Sequence, residues 1–211
     1  MKIERIDSFL AGNGYILQIH TDNGISGLGQ TAYWGYPEAV EAIVKRFQQY
    51  LIGQNPLRIE HHWQYLHRMS PFKGNALSGA ISAIDIALWD IKGKHFGVPV
   101  WELLGGNCRD KIRLHLLADQ PTPEAMYQAA KEAVAEGFTA IKFDPLLDGY
   151  QDMTQDRMIK SVCEIVAAAR EGGGAELDLI AEVHRKLTPM NSIALAETLT
   201  EYNLYFIEDP I

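Results

Sequence analysis

Ionisable side chains stand at the ends of three successive strands that the sequence predicts in its C-terminal half. Reactive groups gather at the C-terminal ends of parallel strands, because the loops there converge on one rim. A charge at any one loop start is common, but three strand ends on one rim favour a functional site. The residues concerned are Lys142 and Asp144, Glu182 and His184, and Glu208 and Asp209.

Glu182 and Glu208 lie at corresponding positions of neighbouring predicted strands. Their carboxylates could therefore converge on one hard cation such as Mg²⁺, which favours oxygen ligands and usually keeps water or substrate oxygens in its shell. Two carboxylates do not complete such a site, so a third is expected from later strands. The alternative is that both are surface groups that pair with Lys or Arg, and their spacing alone leaves both interpretations open.

His184 and Lys142 are the candidates for proton transfer and charge stabilisation. Glu182 and His184 are two apart on a predicted strand, so both are expected on the same face. A neutral imidazole there could give or take a proton near neutral pH, although a lone His is more often a hydrogen-bonded structural residue. Lys142 and Asp144 share a face in the same way. Lys142 is expected beside the carboxylates, as a structural ion pair or as a clamp on an anionic substrate.

Alternating strands and helices must position these residues. This strict alternation predicts an α/β fold with parallel strands joined by right-handed crossovers. Two folds have that order, an open doubly wound sheet and the first half of a (β/α)₈ barrel, and the first strand is not followed by the G-x-G-x-x-G of a dinucleotide-binding sheet. The strands are predicted at residues 112–117, 139–143, 177–183 and 204–207, and the helices at 122–136, 154–171 and 191–202.

The first third of the chain predicts a small α+β unit. Residues 2–9 and 15–21 alternate apolar and polar side chains as strands do. Asp22-Asn23-Gly24 then predicts a hairpin turn, because Asn-Gly adopts positive φ at little cost. Pro37 begins a helix with apolar residues at helical spacing, another helix follows it, and residues 80–94 read as a long buried helix.

Composition excludes several classes of partner. The 211 residues carry a net charge of −8 with both signs interspersed, whereas a nucleic-acid surface needs a basic patch. No stretch approaches the roughly 18 apolar residues of a membrane span, and the first residues lack the apolar core of a signal peptide. Cys108 and Cys163 show neither close pairing nor metal-ligand spacing. We therefore expect a cytoplasmic protein that binds neither nucleic acid nor membrane.

Three runs between residues 80 and 106 carry a family resemblance. They read AISAIDIALWDIKGK (80–94), GVPV (97–100) and LLGG (103–106). In these runs the chain resembles the mandelate racemase / muconate lactonizing enzyme family of the enolase superfamily, and the similarity extends over the whole sequence. The resemblance implies an N-terminal α+β capping domain at residues 1–110. It also implies that residues 111–211 are the first four β/α units of an enolase-type barrel, which end before the barrel can close.

The resemblance also assigns roles to the residues at the strand ends. The family binds Mg²⁺ through carboxylates at the ends of three successive barrel strands. Glu182 matches the first ligand and Glu208, in Ile-Glu-Asp-Pro, matches the second, while the third would lie beyond Ile211. Lys142 matches the first Lys of the family's Lys-x-Lys motif, but Asp144 stands where the second Lys, often the base, is expected. That departure puts racemase or epimerase chemistry of the usual kind in doubt.

His184 resembles a residue of the acid-sugar dehydratases in the same family. There, a His two residues after the first metal ligand delivers a proton to the leaving hydroxyl. Arg185 departs from the Gly that is common after this His. Residues 70–74 also look like that branch, and the aromatic run at residues 33–36 is a candidate lid piece or an ordinary packing element.

The function that the resemblance implies is Mg²⁺-dependent dehydration of a sugar acid by a hydro-lyase. A proton is removed next to the carboxylate, and water is then eliminated from the neighbouring carbon. His184 would be the acid and Lys142 an electrostatic catalyst, and we expect a homo-oligomer in the full-length form. The alternatives are a racemase, epimerase or cycloisomerase of the same family, or an inactive truncated or split chain that only binds a partner or ligand.

Overall fold

The structure, a computed structural model, describes residues 1–31, 36–69 and 71–211. Residues 33–35 of the candidate lid run and Ser70 of the dehydratase-like run therefore lie outside the described residues. The chain forms two compact units, Met1–Asp110 and Lys111–Ile211. In the part of the chain that the structure describes, no helix combines the length and the apolar composition needed to cross a membrane.

The first unit is an antiparallel sheet with helices. Its strands pair in the order β1-β2-β3, and Gly24, at φ 85°, lies in the predicted turn between β2 and β3. The strands are β1 (Ile3–Ala11), β2 (Gly14–Thr21) and β3 (Ser26–Gln30), and the helices are α1 (Pro37–Leu51), α2 (Ile59–Arg68), α3 (Asn75–Phe96) and α4 (Val100–Leu103).

The spacing of apolar residues explains which face of helix α1 is buried. Helix α1 buries Val40, Val44, Phe47 and Leu51, which recur every three or four residues and form one face. Burying such apolar side chains stabilises the fold by about 1.5–3 kcal/mol each. Helix α3 extends beyond the predicted range of 80–94 at both ends, and its buried residues all lie between Ala80 and Gly93, where Ile86 is nevertheless exposed.

Two glycines of β3 let helix α3 approach the sheet closely. A Cβ atom placed on Gly27 would lie 2.1 Å from the carbonyl oxygen of Ala87, and one on Gly29 would lie 1.8 Å from that of Ala83. Both distances are far inside van der Waals contact with backbone atoms, which cannot move aside as a flexible side chain can. The sheet and the helix therefore pack backbone to backbone at this point.

The second unit contains a parallel sheet in the order β4-β5-β6-β7. Each strand pairs with its sequence neighbours, whereas the strand order of a doubly wound sheet reverses. The order is that of the first half of a (β/α)₈ barrel, so the predicted fold class is confirmed. The strands are β4 (Leu116–Leu117), β5 (Ala140–Phe143), β6 (Asp178–Glu182) and β7 (Phe206–Glu208), and the helices are α5 (Pro123–Ala135), α6 (Gln155–Gly173) and α7 (Pro189–Leu199).

A threonine caps the start of each of these three helices. The side chains of Thr122, Thr154 and Thr188 accept hydrogen bonds from the backbone N–H three residues later, and Pro follows Thr122 and Thr188. Such caps satisfy backbone donors that the helix leaves unpaired and contribute about 1 kcal/mol each. The caps fix where each helix begins and hence the length of each loop on the rim.

The first strand of this sheet is shorter than predicted. The sequence predicts a strand at 112–117, but only Leu116 and Leu117 pair with β5, and Ile112 and Leu114 are exposed. A strand needs a partner, and β5 begins only at Ala140. The preceding residues are held by side chains instead, since the Arg113 guanidinium donates to the carbonyl oxygen of Thr139 at 2.7 Å. The apolar residues at 112–117 alone therefore predicted a strand longer than the observed β4.

Candidate active site

Three charged residues from neighbouring strands meet at the carboxyl ends of β5, β6 and β7. Glu182 and Glu208 occupy directly paired positions of β6 and β7. The Nζ atom of Lys142, from β5, donates to Glu182 Oε2 at 3.1 Å and to Glu208 Oε2 at 3.0 Å. We call Lys142, Glu182 and Glu208 the carboxylate–lysine cluster. The structure therefore brings together three of the residues that the sequence singles out.

The two carboxylates of this cluster have different surroundings. The Glu182 side chain is 7% exposed, and that of Glu208 is 36% exposed. Burial by itself would raise the pKa of Glu182, but hydrogen bonds from the His184 backbone N–H and from Lys142 outweigh it, so the pKa lies below its usual value. Glu182 is thus an ionised carboxylate in a buried position.

The same contacts determine the charge of Lys142. Burial lowers the pKa of its ammonium, but the hydrogen bonds to Glu208 and Glu182 outweigh that effect, and the net pKa lies above the usual value of 10.5. Lys142 is therefore a cation at neutral pH and has no lone pair with which to take up a proton.

Asp144 is the centre of a second group of contacts on the same rim. Its Oδ2 atom accepts from His184 Nδ1 at 3.1 Å and from Lys186 Nζ. Its Oδ1 atom accepts from the backbone N–H of Leu146 at 2.9 Å. The backbone N–H of Asp144 donates to Asp119 Oδ1 at 2.7 Å. This group is linked to the first through His184, whose backbone N–H donates to Glu182 Oε1 at 3.0 Å.

The structure places His184 and Asp144 just beyond the strands to which the sequence analysis assigned them. Strand β6 ends at Glu182 and β5 ends at Phe143, so both residues lie in the following loops, where side chains no longer alternate. His184 has φ 52°, in the left-handed region that non-glycine residues rarely adopt. The turn, and not strand alternation, brings the His184 ring to Asp144.

Two rim residues that sequence reasoning did not select are Asp119 and Lys186. Asp119 follows β4, the first strand of the sheet, and the rule that selected the other three strand ends applies equally to it. Lys186 lies four residues after β6 and contacts Asp144. Its position depends on the turn at His184, and no local sequence signal indicates it.

Glu182 and Glu208 are the residues of this site that could hold a metal ion. Their donor atoms are all carboxylate oxygens, and one cationic group, the Lys142 ammonium, already lies within 3.1 Å of both. This donor set fits a hard divalent cation such as Mg²⁺. Among residues 1–31, 36–69 and 71–211, however, no three His, Cys, Asp or Glu side chains are grouped closely enough to hold a metal ion between them. Glu182 and Glu208 could therefore provide at most two ligands, and a metal ion bound there would need others.

Two family models match consecutive parts of the chain. Residues 12–105 match "Mandelate racemase / muconate lactonizing enzyme, N-terminal domain", and residues 125–211 match "Enolase C-terminal domain-like". Among curated proteins, the chain is 37% identical over 217 residues to a D-galactonate dehydratase of Pectobacterium atrosepticum and 35% identical over 216 residues to one of Xanthomonas euvesicatoria pv. vesicatoria. Each comparison covers 100% of this chain but 56% of the relative, so the chain spans little more than half the length of these relatives.

Solved structures resemble this chain over its whole length. A member of the enolase superfamily from Salmonella Typhimurium superposes with a TM-score of 0.93 at 31% identity and covers 100% of this chain and 61% of that one. An enolase from Pantoea ananatis with bound d-gluconate and Mg superposes with a TM-score of 0.87 at 28% identity, covering 100% and 60%.

Proposed function

The chain belongs to the mandelate racemase / muconate lactonizing enzyme family of the enolase superfamily, and from this premise we propose that the whole protein is a Mg²⁺-dependent dehydratase of a sugar acid. It removes a proton next to the substrate carboxylate and eliminates the neighbouring hydroxyl as water. The observation that carries the proposal is the carboxylate–lysine cluster, to which the His184 backbone N–H is hydrogen-bonded through Glu182. D-galactonate dehydratases among the relatives and the d-gluconate bound in one structural neighbour support a sugar acid as substrate.

Glu182 and Glu208 are the proposed metal ligands. When bound, Mg²⁺ supplies a Lewis acid that polarises the substrate carboxylate and stabilises the negative charge that proton removal creates. We expect the other ligands to be water, substrate oxygens and a third carboxylate. The low pKa of Glu182 supports this role, because a ligand must be ionised before a metal ion can bind.

Lys142 acts as an electrostatic catalyst in this proposal. Proton loss from the carbon next to the carboxylate gives an enediolate, which is too unstable in water to accumulate without stabilisation. The Lys142 ammonium lies within 3.1 Å of both carboxylates and would donate to substrate oxygens bound in the same place. The contacts with Glu208 and Glu182 raise its pKa in the metal-free cluster, which favours the charged form, and we assign Lys142 to stabilising the enediolate.

His184 is the proposed acid. Expulsion of a hydroxyl needs a proton as the carbon–oxygen bond breaks, and an imidazole can supply one near neutral pH. The His184 backbone N–H donates to Glu182 Oε1, which ties this residue to the proposed metal ligand. Lys142 is held as an ammonium and both Asp144 oxygens accept hydrogen bonds, so we assign the base to neither of them.

A substrate screen tests the proposal. The purified protein, in its full-length form, is incubated with a panel of aldonic and aldaric acids that includes D-galactonate and D-gluconate, with Mg²⁺ or with EDTA. We expect a 2-keto-3-deoxy acid from at least one substrate, only with Mg²⁺, and strongly reduced formation by Lys142→Met but not by the exposed control Lys160→Met. Inversion at the α-carbon without keto product would replace the dehydratase by a racemase or epimerase, and turnover in EDTA would exclude the metal role.

A further inference from the structure

We propose that Asp144 is a positioning residue that holds the His184 ring in one tautomer and orientation, with Nε2 as the nitrogen that exchanges protons with the substrate. This inference rests on the proposed function of His184 as the acid. It assigns to Asp144, which replaces the second Lys of the family motif, a role other than that of the missing base.

The Asp144 carboxylate is itself firmly placed. Its Oδ1 atom accepts from the Leu146 backbone N–H two residues later, a local turn that fixes the side-chain torsion. Its backbone N–H is bound by Asp119 Oδ1 at 2.7 Å, so the backbone at the end of β5 is held from the end of β4. The Asp144 side chain is 13% exposed. These contacts leave Oδ2 as the atom that can orient a neighbouring group.

The contact from His184 to Oδ2 determines where the imidazole carries its proton. An ionised carboxylate can only accept hydrogen bonds, so the 3.1 Å contact between His184 Nδ1 and Asp144 Oδ2 requires a hydrogen on Nδ1. In the neutral ring the lone pair then lies on Nε2.

Lys186 shares the same carboxylate oxygen and offers the competing explanation. Asp144 could serve only as a partner for the Lys186 ammonium, with His184 nearby by chance. The two explanations differ in what each substitution should change. If Asp144 orients His184, removing the Lys186 ammonium leaves the imidazole tautomer as it is, whereas removing the Asp144 charge alters it.

The backbone conformation of His184 supports an orienting role. At φ 52° the residue leaves the direction of β6, and its ring contacts Asp144, which directly follows β5. The strand alternation that orients side chains within a sheet does not apply to a loop position. A hydrogen bond to a firmly placed carboxylate orients the ring instead, and loss of comparable supporting contacts typically reduces activity by about 10- to 100-fold.

The variant Asp144→Asn separates the two tautomers sharply. The Asn carbonyl oxygen would keep the hydrogen bond from Leu146, which turns the amide NH₂ toward His184. The Lys186 ammonium cannot donate to an NH₂ group and turns to solvent on its flexible side chain. An NH₂ group donates, so it favours a lone pair on Nδ1 and moves the proton to Nε2. Asp144→Ala removes the partner altogether and serves if the Asn variant does not fold. Lys186→Met is the matched control, since it removes the competing cation and keeps the carboxylate.

Nitrogen NMR of the full-length protein labelled with ¹⁵N-histidine, with Mg²⁺ present, reads the tautomer directly. The His184 signals are assigned by their loss in His184→Asn and compared at a pH where their shifts show a neutral ring. We expect the Nδ1–H form in the wild type and in Lys186→Met, and a shift toward Nε2–H in Asp144→Asn. An Nε2–H ring in the wild type, or an unchanged ring in both Asp144 variants, would overturn the proposal.

Kinetics provide the second readout. With an accepted sugar acid, Asp144→Asn should lower kcat by about 10- to 100-fold and change KM little, because the ring contributes to the elimination step more than to binding. A rise in KM of about 10- to 100-fold with unchanged kcat would contradict a positioning role. The substrate screen fails or succeeds independently of the tautomer, so failure of the dehydratase proposal and failure of this inference give different results.

Discussion

Arg185 and Asp209 bind each other across the ends of β6 and β7 while both adopt left-handed backbone conformations. Their φ angles are 57° and 45°. The Arg185 backbone N–H donates to the Asp209 carbonyl oxygen at 2.7 Å, and the guanidinium pairs with the Asp209 carboxylate. The two turns that follow Glu182 and Glu208 are therefore joined to each other just beyond the proposed metal ligands.

Substitution of Arg185 measures the backbone strain in this turn. A non-glycine residue in the left-handed region costs about 1–2 kcal/mol, and the Arg185–Asp209 ion pair is exposed and contributes little. Arg185→Gly is therefore expected to be more stable than Arg185→Ala by about 1 kcal/mol in urea unfolding. Lys160, an exposed residue inside α6, serves as the control. There the Gly variant should be less stable than the Ala variant, because Gly costs up to about 1 kcal/mol more than Ala in a helix. Equal stability of the two Arg185 variants would mean that the turn carries no such strain.

Replacement of Glu182 by Gln tests the metal pair. If Glu182 and Glu208 bind Mg²⁺, the ion stabilises the wild-type protein by about 2.7 kcal/mol at a concentration of 100 Kd. Glu182→Gln keeps an oxygen that can accept from the His184 backbone N–H but removes the charge, so the rise in Tm with Mg²⁺ should disappear together with turnover. The exposed control Glu197→Gln should keep both. Retained Mg²⁺ affinity in Glu182→Gln would leave both carboxylates as ion-pair partners of Lys142.

Replacement of His184 by Asn separates the two chemical steps. If another group is the base, the variant should still exchange the substrate α-hydrogen with D₂O while it forms little keto product. Proton NMR of the recovered substrate measures the exchange, and the keto acid yield measures elimination. Equal loss of exchange and elimination would make His184 the base or a structural support for Glu182, and unchanged dehydration would remove it from the mechanism.

His62 in the first unit gives a stability that depends on pH. The ring is buried, with Nε2 at 2.8 Å from the carbonyl oxygen of Asn55 and Nδ1 at 2.9 Å from the Tyr50 hydroxyl. Since a carbonyl only accepts, Nε2 carries the proton and Nδ1 accepts from Tyr50 in the neutral ring. Burial lowers the pKa of His62 below its usual value of 6.5.

The sign of the pH effect follows from that lowered pKa. The neutral buried ring contributes its full stability above the unfolded-state pKa of 6.5, and the contribution is lost as the pH falls below that value and through the folded-state pKa. The free energy of unfolding should therefore be lower at pH 5.5 than at pH 7.5 in urea titrations. His62→Gln should reduce the difference, whereas His95→Gln, at an exposed position of α3, should retain it. An equal pH dependence in His62→Gln would assign the effect to other groups.

The extent to which sequence predicts this fold depends on how local each signal is. Thr122-Pro123 predicts the start of α5 correctly, because the cap is made within three residues. The predicted extent of β4 was wrong, because the length of this strand depends on where its partner β5 begins, more than twenty residues later. Helix α7 ends at Leu199, and residues 200–202 of the predicted helix form a short 3₁₀ turn. The tighter turn is common at helix ends and has no hydrophobic signature of its own.

In the candidate site, too, some contacts can be predicted from sequence and others cannot. The approach of Glu182 to Glu208 follows from parallel pairing of neighbouring strands, which alternation of strands and helices predicts. The contact between Asp144 and His184 could not be predicted, because it depends on a left-handed turn at a position where no glycine indicates one. Sequence thus identifies the charged residues at the ends of β5, β6 and β7, and the turns decide which rim residues touch, including Lys186, which the sequence did not indicate.

The backbone contact of Gly27 and Gly29 with α3 affects how mutational scanning data on this protein should be interpreted. Any side chain at either position would overlap the carbonyl oxygens of Ala83 or Ala87, so nearly every substitution there should be depleted from a library selected for activity. That depletion would resemble the pattern expected at Glu182, although the two glycines take no part in chemistry. Parallel selection for protein abundance would tell the positions apart, since loss of packing lowers the amount of folded protein, whereas loss of a catalytic group need not.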